Sequence, residues 1–359
     1  MEKHGNVDAV VLVGGQGTRL RPLTLSAPKP MLPTAGVPFL EHLLSRIQQA
    51  GMRHVVLGTS YRAEVFSEYF GNGAAFGLEI EYVVEDVPLG TAGAIRNVYD
   101  RLVADDVMIF NGDILSGVDL GALFGTHRNT AADVTLHLVK VADPRAFGCV
   151  PTDDSGRVEA FLEKTESPPT DQINAGCYVF KRSVIADIAT GTVVSVERET
   201  FPGLLSAGAR VFGHIDTSYW LDLGTPAAFV QGSADLVRGI APTHALAQPP
   251  ADFLLAGESV VAHDAVLSGG SALGAHGNVG AGARIEGSIV FENAEIGAAA
   301  RITRSVIGNG TVIGAGAVIS DAVIGDGAVI GDGCELVAGV RVWPGVQIPA
   351  GGIRFSAPS

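Results

Sequence analysis

The sequence predicts an α/β protein built from a domain with a mixed, mainly parallel sheet, followed by a parallel β-helix. Strand and helix patterns alternate from residue 8 to residue 110, which is typical of βαβ units. Apolar residues later recur at about every sixth position from Val261 to Ile348, which indicates a repeat architecture. We therefore predict a first domain over residues 1–238, a linker over 239–256 and the β-helix over 257–359.

A glycine-rich loop follows the first predicted strand, residues 8–13. Three glycines let the backbone turn sharply and let a ligand come close, and their amides can form an anion-binding concavity. Three cations follow, so the stretch predicts a polyphosphate site, although the glycines alone also fit a structural turn. The residues concerned are Gly14, Gly15, Gly17, Arg19, Arg21 and Lys29.

The next elements alternate between helix and strand. We predict helices from 39 to a stop at Gly51, over 62–70 and over 93–103, with strands over 54–57, 78–84 and 107–110. In sheets of this kind ligands bind beyond the carboxyl ends of the strands. The glycine-rich loop and Asn111-Gly112-Asp113 both occupy such ends, so we expect them to share one crevice.

Closely spaced strand patterns begin near Asp133. We predict strands over 134–141, 148–150, 158–162 and 173–180, and interpret them as a β-rich extension that covers the crevice. Helix patterns return over 199–207 and 226–238. The following stretch is rich in Pro and Ala without periodicity, which predicts the linker.

The repeat in the last third has the spacing of hexapeptide proteins. Sixteen apolar positions recur from Val261 to Ile348, with slips of one residue, and Gly often follows directly, as in Ile313-Gly314. Three hexads make one triangular coil, so the chain should form about five coils. Similarity to other hexapeptide proteins implies a left-handed parallel β-helix.

Composition excludes several functions. The formal net charge of −14 argues against a nucleic-acid partner. The three cysteines are far apart and show no metal-ligand spacing, which fits a reducing compartment. The N-terminus has no apolar signal core, and no apolar run approaches a membrane span. These features predict a cytoplasmic protein without a membrane partner.

The string GGxGTRLRPLT…PKP resembles the signature of the sugar-1-phosphate nucleotidyltransferases. This resemblance implies a Rossmann-like nucleotidyltransferase domain. It also implies attack of a sugar phosphate oxygen on the α-phosphorus of a nucleoside triphosphate, with release of pyrophosphate. Both reactants are anions, so catalysis would consist mainly of alignment and charge neutralisation.

The resemblance assigns nucleotide-binding and catalytic roles residue by residue. Arg19 and Lys29 would contact the triphosphate and stabilise the departing pyrophosphate, and Lys164 would complete the catalytic set. Small residues in the stretch after Glu85 would let backbone groups contact the base. The implied nucleotide-binding residues are Leu12, Gly14, Gly15, Gly17, Thr18, Arg19, Lys29, Glu85, Pro88, Gly90, Thr91, Gly112 and Asp113.

Two carboxylates match the metal-binding positions of the family. Asp113 lies in Asn-Gly-Asp and Asp222 in Trp-Leu-Asp-Leu-Gly, and together they would hold Mg²⁺. Each has a simpler explanation, since Gly-Asp is common in turns and Asp222 precedes Thr225-Pro226, where a helix cap is expected. The two residues lie far apart in the chain, so only the fold can bring them together.

The sugar phosphate site is also implied by the resemblance. Glu163-Lys164 occupies the place of the family's Glu-Lys-Pro, with Thr165 in place of Pro. Glu199 would accept a sugar hydroxyl, but it also fits an acidic first helical turn. The implied sugar-phosphate-binding residues are Gly148, Glu163, Lys164, Asn174 and Glu199.

Substrate choice depends on smaller signals. The Leu-Val-Gly-Gly start of the loop, with Val13, is similar to that of mannose-1-phosphate guanylyltransferases. This implies GTP and α-D-mannose 1-phosphate as substrates and GDP-mannose as product. The alternative is a uridylyl- or thymidylyltransferase acting on glucose 1-phosphate.

Two other classes of function stay open. A catalytically silent regulatory subunit would bind a sugar nucleotide, but such proteins usually lose the signature cations or carboxylates that this chain keeps. An acyltransferase tail would need a histidine base, for which His263 and His276 are available. We expect instead that the coils mediate homo-oligomerisation or regulation.

Overall fold

The computed structural model describes residues 7–60, 62–162 and 166–354. The chain divides into two compact units. The first contains the residues up to Gly15 and those from Leu43 to Trp220, and the second contains residues from Gln16 to His42 and from Leu221 onward. The glycine-rich loop therefore crosses from one unit to the other.

A seven-stranded sheet forms the first unit. Its order is β7-β5-β6-β4-β1-β2-β3, with β6 antiparallel to both of its neighbours and the other pairs parallel. This confirms the α/β class and the Rossmann-like, mainly parallel sheet. The strands are β1 Val7–Leu12, β2 His54–Thr59, β3 Glu79–Val84, β4 Asp106–Asn111, β5 Val134–Lys140, β6 Gln172–Lys181 and β7 Val211–Asp216.

Helices of the first unit cover the sheet because their apolar faces pack on buried strand residues such as Val10 and Ile109, which are fully inaccessible to solvent. In chain order, the helices are α1 Phe39–Gln49, α2 Ala63–Phe70, α3 Gly90–Asn97, α4 Leu120–Asn129, α5 Arg182–Ala186, α6 Phe201–Ser206 and α7 Pro226–Val237, the last of which belongs to the second unit. Within the described ranges, none of them is long and apolar enough to cross a membrane.

The region predicted as a β-rich extension differs from the expectation. Strands β5 and β6 belong to the central sheet itself, since β6 pairs with β4 over five residues. The predicted strands over 148–150 and 158–162 form only isolated bridges, such as Cys149 with Leu162. The alternating pattern of a half-buried strand is the same in either sheet, so the sequence could not assign the partner.

Helix α4 was not predicted. Asp119 caps it by accepting hydrogen bonds from the amides of Gly121 and Ala122 at 2.8 and 3.0 Å. Two glycines within the helix, Gly121 and Gly125, weaken its intrinsic helical preference. Its stability comes instead from packing, since Leu123 and Phe124 are buried.

The second unit combines residues 16–42, α7 and the coils. The coils contain 17 strands in three parallel sheets of six, six and five strands, in agreement with a parallel β-helix. The first strand, Phe253–Leu255, lies inside the stretch predicted as a linker. The others are Val260–Val261, Val266–Ser268, Ser271–Leu273, Asn278–Val279, Arg284–Glu286, Ile289–Val290, Glu295–Ile296, Arg301–Thr303, Val306–Ile307, Val312–Ile313, Val318–Ser320, Val323–Ile324, Val329–Ile330, Glu335–Leu336, Arg341–Val342 and Gln347–Ile348.

The hexad positions form the interior of the coils. Ile285, Ile302 and Ile319 stack in register on successive coils and are nearly or fully buried. Each Å² of apolar surface that such a stack removes from water stabilises the fold by about 25 cal/mol. Burial of a large apolar residue at every sixth position thus explains why the sequence period predicted the architecture.

Candidate active site

The first unit brings the glycine-rich loop to the end of β4. The amide of Gly112 donates a hydrogen bond to the carbonyl oxygen of Leu12 at 2.9 Å. A Cβ atom at Gly112 would lie 2.6 Å from Val13 Cγ1 and 2.7 Å from that carbonyl oxygen, so only glycine fits. Asn111-Gly112-Asp113 therefore lies against the end of β1, next to the start of the glycine-rich loop.

Glu85 lies beside the same loop, directly after β3. One carboxylate oxygen, Oε1, is shielded from solvent and has no hydrogen-bond partner among the described residues. A Cβ atom on Gly14 would lie 3.7 Å from the other oxygen. Burial raises the pKa of Glu85, and a hydrogen bond with the backbone of Leu89 partly offsets this. Glu85 is therefore an acceptor for which the described part of the chain offers no donor at Oε1, which is costly unless a ligand supplies one.

The predicted base-binding stretch, which follows Glu85, is held in place by residues 194–196. The amide of Val196 donates to the hydroxyl oxygen of Thr91 at 2.9 Å. Gly90 has a φ of +71°, and a Cβ atom there would lie 2.6 Å from the carbonyl oxygen of Val194. These contacts fix the start of α3, three residues before the predicted start. Pro88 lies on the exposed side of this turn.

The second unit holds Gly17, Thr18 and Lys29. Gly17 has a φ of +59° and precedes a 3₁₀ turn, Thr18–Leu20. Its carbonyl oxygen accepts a hydrogen bond from the hydroxyl of Thr24 at 3.0 Å. A Cβ atom at Gly17 would lie 3.1 Å from Lys29 Cβ, so the lysine stem packs directly under the turn. Gly15, in contrast, is exposed and has open space above it.

Two cations and a carboxylate meet in this unit. The Lys29 ammonium is buried and lies 3.9 Å from Asp222 Oδ1. A Cβ atom at Gly224 would overlap the Arg19 guanidinium and lie 2.9 Å from Asp222 Oδ1. The absence of a side chain at Gly224 therefore leaves space for Arg19 next to the carboxylate. Arg19 itself is exposed.

Asp113 follows Gly112 at the end of β4 and is half-buried. In the described part of the chain, no three His, Cys, Asp or Glu side chains form a group that could enclose a metal. Mg²⁺ usually takes one or two carboxylates together with phosphate oxygens and water. Asp113 and Asp222 supply hard oxygen ligands of the right kind.

A cavity of about 250 Å³ opens beside β6. Two of the predicted sugar-phosphate residues, Gly148 and Asn174, line it. The amide nitrogen of Asn174 donates to Glu197 Oε1 and to the hydroxyl of Tyr178, both at 2.8 Å. The lining residues are Phe147, Gly148, Cys149, Val150, Phe161, Leu162, Asn174, Glu197, Arg198 and Pro202.

Glu197, not Glu199, faces this cavity. Glu199 Oε1 accepts a hydrogen bond from the amide of Ser195 at 2.9 Å, and the Ser195 hydroxyl accepts one from the amide of Arg198 at 3.2 Å. This reciprocal capping turns Glu199 back along the chain. Side chains two positions apart in a helical segment point to different sides. The Glu-x-Glu spacing could therefore have suggested that only one of the two, Glu197, faces the cavity. Glu163 and Lys164 lie outside the described residues.

Two family models match the chain. The nucleotidyl transferase model matches residues 8–239. The model of the GMPPB C-terminal domain matches residues 251–351. The two matches follow one another along the chain.

Relatives with known names are similar over different lengths. A mannose-1-phosphate guanylyltransferase of Mycobacterium tuberculosis is 63% identical over 98% of both chains. The catalytic subunit beta of a mannose-1-phosphate guanylyltransferase of Drosophila pseudoobscura pseudoobscura is 37% identical over 62% of this chain and 61% of its own length.

Solved structures resemble the first part. HddC of Yersinia pseudotuberculosis, complexed with GMP-PN, is 26% identical with a TM-score of 0.56, and the match covers 64% of this chain and 99% of HddC. A putative glucose-1-phosphate thymidylyltransferase of Bacillus anthracis is 22% identical with a TM-score of 0.58, over 64% of this chain and 94% of its own. The second likeness concerns the fold alone.

Proposed function

Because the chain belongs to the nucleotidyl transferase family, we propose that it transfers GMP from GTP to α-D-mannose 1-phosphate. A phosphate oxygen of the sugar attacks the α-phosphorus, the bond to the β-phosphate breaks, and GDP-mannose and pyrophosphate leave. The observation that carries this proposal is the 63% identity to a mannose-1-phosphate guanylyltransferase over 98% of both chains. That likeness includes the coils as well as the sheet.

Arg19 and Lys29 serve the triphosphate in this proposal, next to the amides of Gly14, Gly15 and Gly17. Lys29 is buried and already paired with Asp222. Its charge is therefore little screened by water, and its ammonium group is held in place. An ammonium in such surroundings neutralises charge that builds up on the departing pyrophosphate more effectively than a solvated one. Arg19 adds a planar fork of donors suited to phosphate oxygens.

The proposed metal ligands are Asp113 and Asp222. Enzymes of this family generally use a divalent metal, and carboxylate oxygens suit Mg²⁺. When bound, Mg²⁺ would withdraw charge from the phosphates and help to align them. The contact between Lys29 and Asp222 then has a second consequence, because it ties a phosphate-binding cation to a metal-binding carboxylate.

Glu85 gives a physical reason for the choice of GTP. Guanine presents two adjacent donors, the N1–H and the exocyclic amino group, whereas uracil and thymine present one N–H between two carbonyls. An ionised carboxylate only accepts hydrogen bonds, so Glu85 matches guanine and opposes the pyrimidine carbonyls. Among the described residues, no donor reaches its Oε1 atom. A site built in this way discriminates strongly, because the wrong base leaves buried polar groups unpaired.

The cavity beside β6 is the proposed place of the sugar phosphate. Asn174 and Glu197 offer hydrogen-bonding groups for sugar hydroxyls, and Arg198 brings a cation to the same lining. The roles of Glu163 and Lys164 rest on their motif.

The coils are proposed to join copies of the chain into a homo-oligomer. Trp343 and Val346, in the last coils, expose apolar side chains. A large exposed aromatic side chain is a frequent centre of protein interfaces.

The substrate assignment is tested by initial rates of pyrophosphate release with Mg²⁺. GTP, ATP, UTP and dTTP are each paired with mannose 1-phosphate and with glucose 1-phosphate. We expect the largest kcat/KM for GTP with mannose 1-phosphate, by at least about a hundredfold. A larger value for UTP or dTTP with glucose 1-phosphate would contradict the proposal.

The same assay tests Glu85. The amide in Glu85→Gln offers one donor and one acceptor, so kcat/KM for GTP should fall at least about tenfold while that for UTP or dTTP rises. Glu79→Gln changes an exposed residue of β3, the strand that precedes Glu85, and serves as the control. An unchanged ratio between GTP and UTP in Glu85→Gln would remove the carboxylate from base recognition.

A further inference from the structure

Arg46 is a mostly buried cation that has no part in the function proposed above. It lies on α1 and reaches the segment that follows Asp113. Its guanidinium donates from Nη1 to the carbonyl oxygen of Ser116 and from Nη2 to that of Val118, the latter at 2.5 Å. Burial lowers the pKa of Arg46, while Cys177, Asp216 and Asp119 oppose the shift electrostatically. The guanidinium remains charged in this setting.

The segment held by Arg46, residues 114–118, directly follows Asp113. It begins with the short strand Ile114–Ser116, so the two captured carbonyls lie three and five residues after the carboxylate. Between them, the amide of Gly117 donates to the carbonyl oxygen of Tyr219 at 2.7 Å. The segment is therefore fixed at three consecutive residues, on one side by a guanidinium and on the other by a backbone hydrogen bond.

The hydrogen bond from Gly117 reaches the stretch of chain that carries Asp222, the other proposed metal carboxylate. Tyr219 precedes Asp222 by three residues in the chain. A carbonyl group that changed direction at Ser116 or Val118 would rotate the peptide planes next to Gly117. The hydrogen bond to Tyr219 and the backbone at Asp113 would then both be displaced. A displacement near 1 Å is enough to reduce the rate of an aligned reaction by about a hundredfold.

Only arginine can make this arrangement. Its planar fork presents donors in fixed directions to two acceptors at once, whereas lysine offers a single point charge on a flexible stem. A buried cation is also expensive unless it is compensated. Here the compensation comes from two carbonyl dipoles and the charges of Asp216 and Asp119.

We propose that Arg46 is a positioning residue for metal binding: its guanidinium holds the backbone of residues 114–118 so that Asp113 faces the metal and the phosphates. This inference rests on the metal role proposed above for Asp113. Arg46 acts through the backbone and has no contact with substrate in this scheme.

The test compares Arg46→Lys with the wild-type enzyme in two measurements. Mn²⁺ affinity is measured by titration calorimetry in the presence of saturating GDP-mannose, where no turnover occurs without pyrophosphate. The Mg²⁺ concentration for half-maximal rate is measured at saturating GTP and mannose 1-phosphate. We expect both values to weaken by about tenfold, equivalent to the loss of one charged hydrogen bond.

Arg182→Lys is the matched control. Arg182 also donates to a loop carbonyl, that of Leu102, at 2.5 Å, but it lies at the opposite end of β6 from the cavity. Its replacement should lower the thermal midpoint and leave both metal measurements unchanged. A purely structural role of Arg46 would give the same pattern in Arg46→Lys, and that result would overturn the proposal. If Arg46→Lys does not fold, Arg46→Gln undergoes the same two measurements.

Asp113→Asn separates this inference from the proposed function. Weaker metal binding in both Asp113→Asn and Arg46→Lys supports both proposals. Weaker binding in Asp113→Asn alone overturns the role of Arg46. Wild-type metal binding in Asp113→Asn overturns the role of Asp113 and, with it, the inference about Arg46.

Discussion

Lys29, a proposed phosphate-binding residue, is held in place by a carboxylate of its own chain. Its ammonium is only 8% exposed and lies 3.9 Å from Asp222. A buried charge is tolerated only when it is compensated. The same charge would attract a triphosphate that enters beside Gly17, so the pairing with Asp222 both stabilises Lys29 and places it.

Removal of Lys29 or Asp113 should abolish most catalysis and leave the fold intact. We expect Lys29→Ala and Asp113→Ala to lower kcat at least about a hundredfold, because each removes charge stabilisation that acts in the transition state. Pyrophosphate release gives the rate, and thermal unfolding checks the fold. Lys140→Ala removes a lysine from an exposed ion pair with Asp171 and should be neutral. Near-normal turnover in either variant would refute its assigned role.

At the scale of elements, three strands are tied together by one histidine. His54 on β2 contacts Asp8 on β1 at 2.8 Å through Nδ1 and Glu81 on β3 at 3.2 Å through Nε2. The hydrogen bond to Asp8 raises the pKa of His54, although burial opposes it. Burial would raise the pKa of Asp8, but His54 and the amides of Ala104 and Val103 lower it overall.

These shifts predict how stability depends on pH. A raised pKa in the folded state means that His54 stabilises fully below its unfolded pKa of about 6.5. This contribution is then lost as the pH rises through the folded pKa. Asp8 behaves oppositely, and its contribution is lost as the pH falls through its lowered folded pKa.

The measurement compares urea unfolding of the wild type and His54→Gln at pH 6 and pH 9. The wild type should exceed the variant by about 1–2 kcal/mol at pH 6, the size of a charge-assisted hydrogen bond, and by less at pH 9. His263→Gln changes an exposed histidine and should show no such dependence. A difference that grows toward pH 9 would show that the sign is wrong.

The coils explain the slips in the hexad repeat. The amides of Ser288, Ser305 and Ala322 each donate to the hydroxyl of a serine 17 residues earlier, at 3.2, 3.1 and 3.1 Å. One of the three hexads in these coils is therefore one residue short. The buried serine hydroxyls satisfy the amides at that corner, so the shortened hexad leaves no donor unpaired there.

At the scale of the whole molecule, residues 16–42, which carry Arg19, Arg21 and Lys29, pack with α7 and the coils. The amide of Ala35 donates to the hydroxyl of Ser233 on α7 at 2.9 Å. Arg341, in the last coils, donates to the carbonyl oxygen of Arg21 at 2.7 Å. Residues 16–42 thus belong to the same compact unit as the β-helix, even though the family models divide the chain near residue 240.

The proposed assembly belongs to the same scale. We expect light scattering to give a native mass of at least twice the 37.0 kDa of the chain. Trp343→Ser should reduce that mass if the last coils form the contact, because it removes the largest exposed apolar side chain there. Val266→Ser changes an exposed residue of an early coil and is the control. A monomeric wild-type enzyme would contradict the proposed assembly.

The sequence by itself determined the features that depend on local periodicity and on motifs. Alternating strands and helices predicted the α/β sheet, a large apolar residue at every sixth position predicted the coils, and the glycines with Arg19 and Lys29 predicted the proposed phosphate site. Each of these signals lies within a short stretch of chain, because burial and backbone conformation are set mainly by near neighbours.

Tertiary structure alone decided which distant groups meet. It placed Asp222 beside Lys29, inserted β6 antiparallel beside β4, and turned Glu197 rather than Glu199 toward the cavity. It also brought Arg46 to the backbone that follows Asp113. No local pattern carries these pairings, because sheet register and packing over hundreds of residues select them.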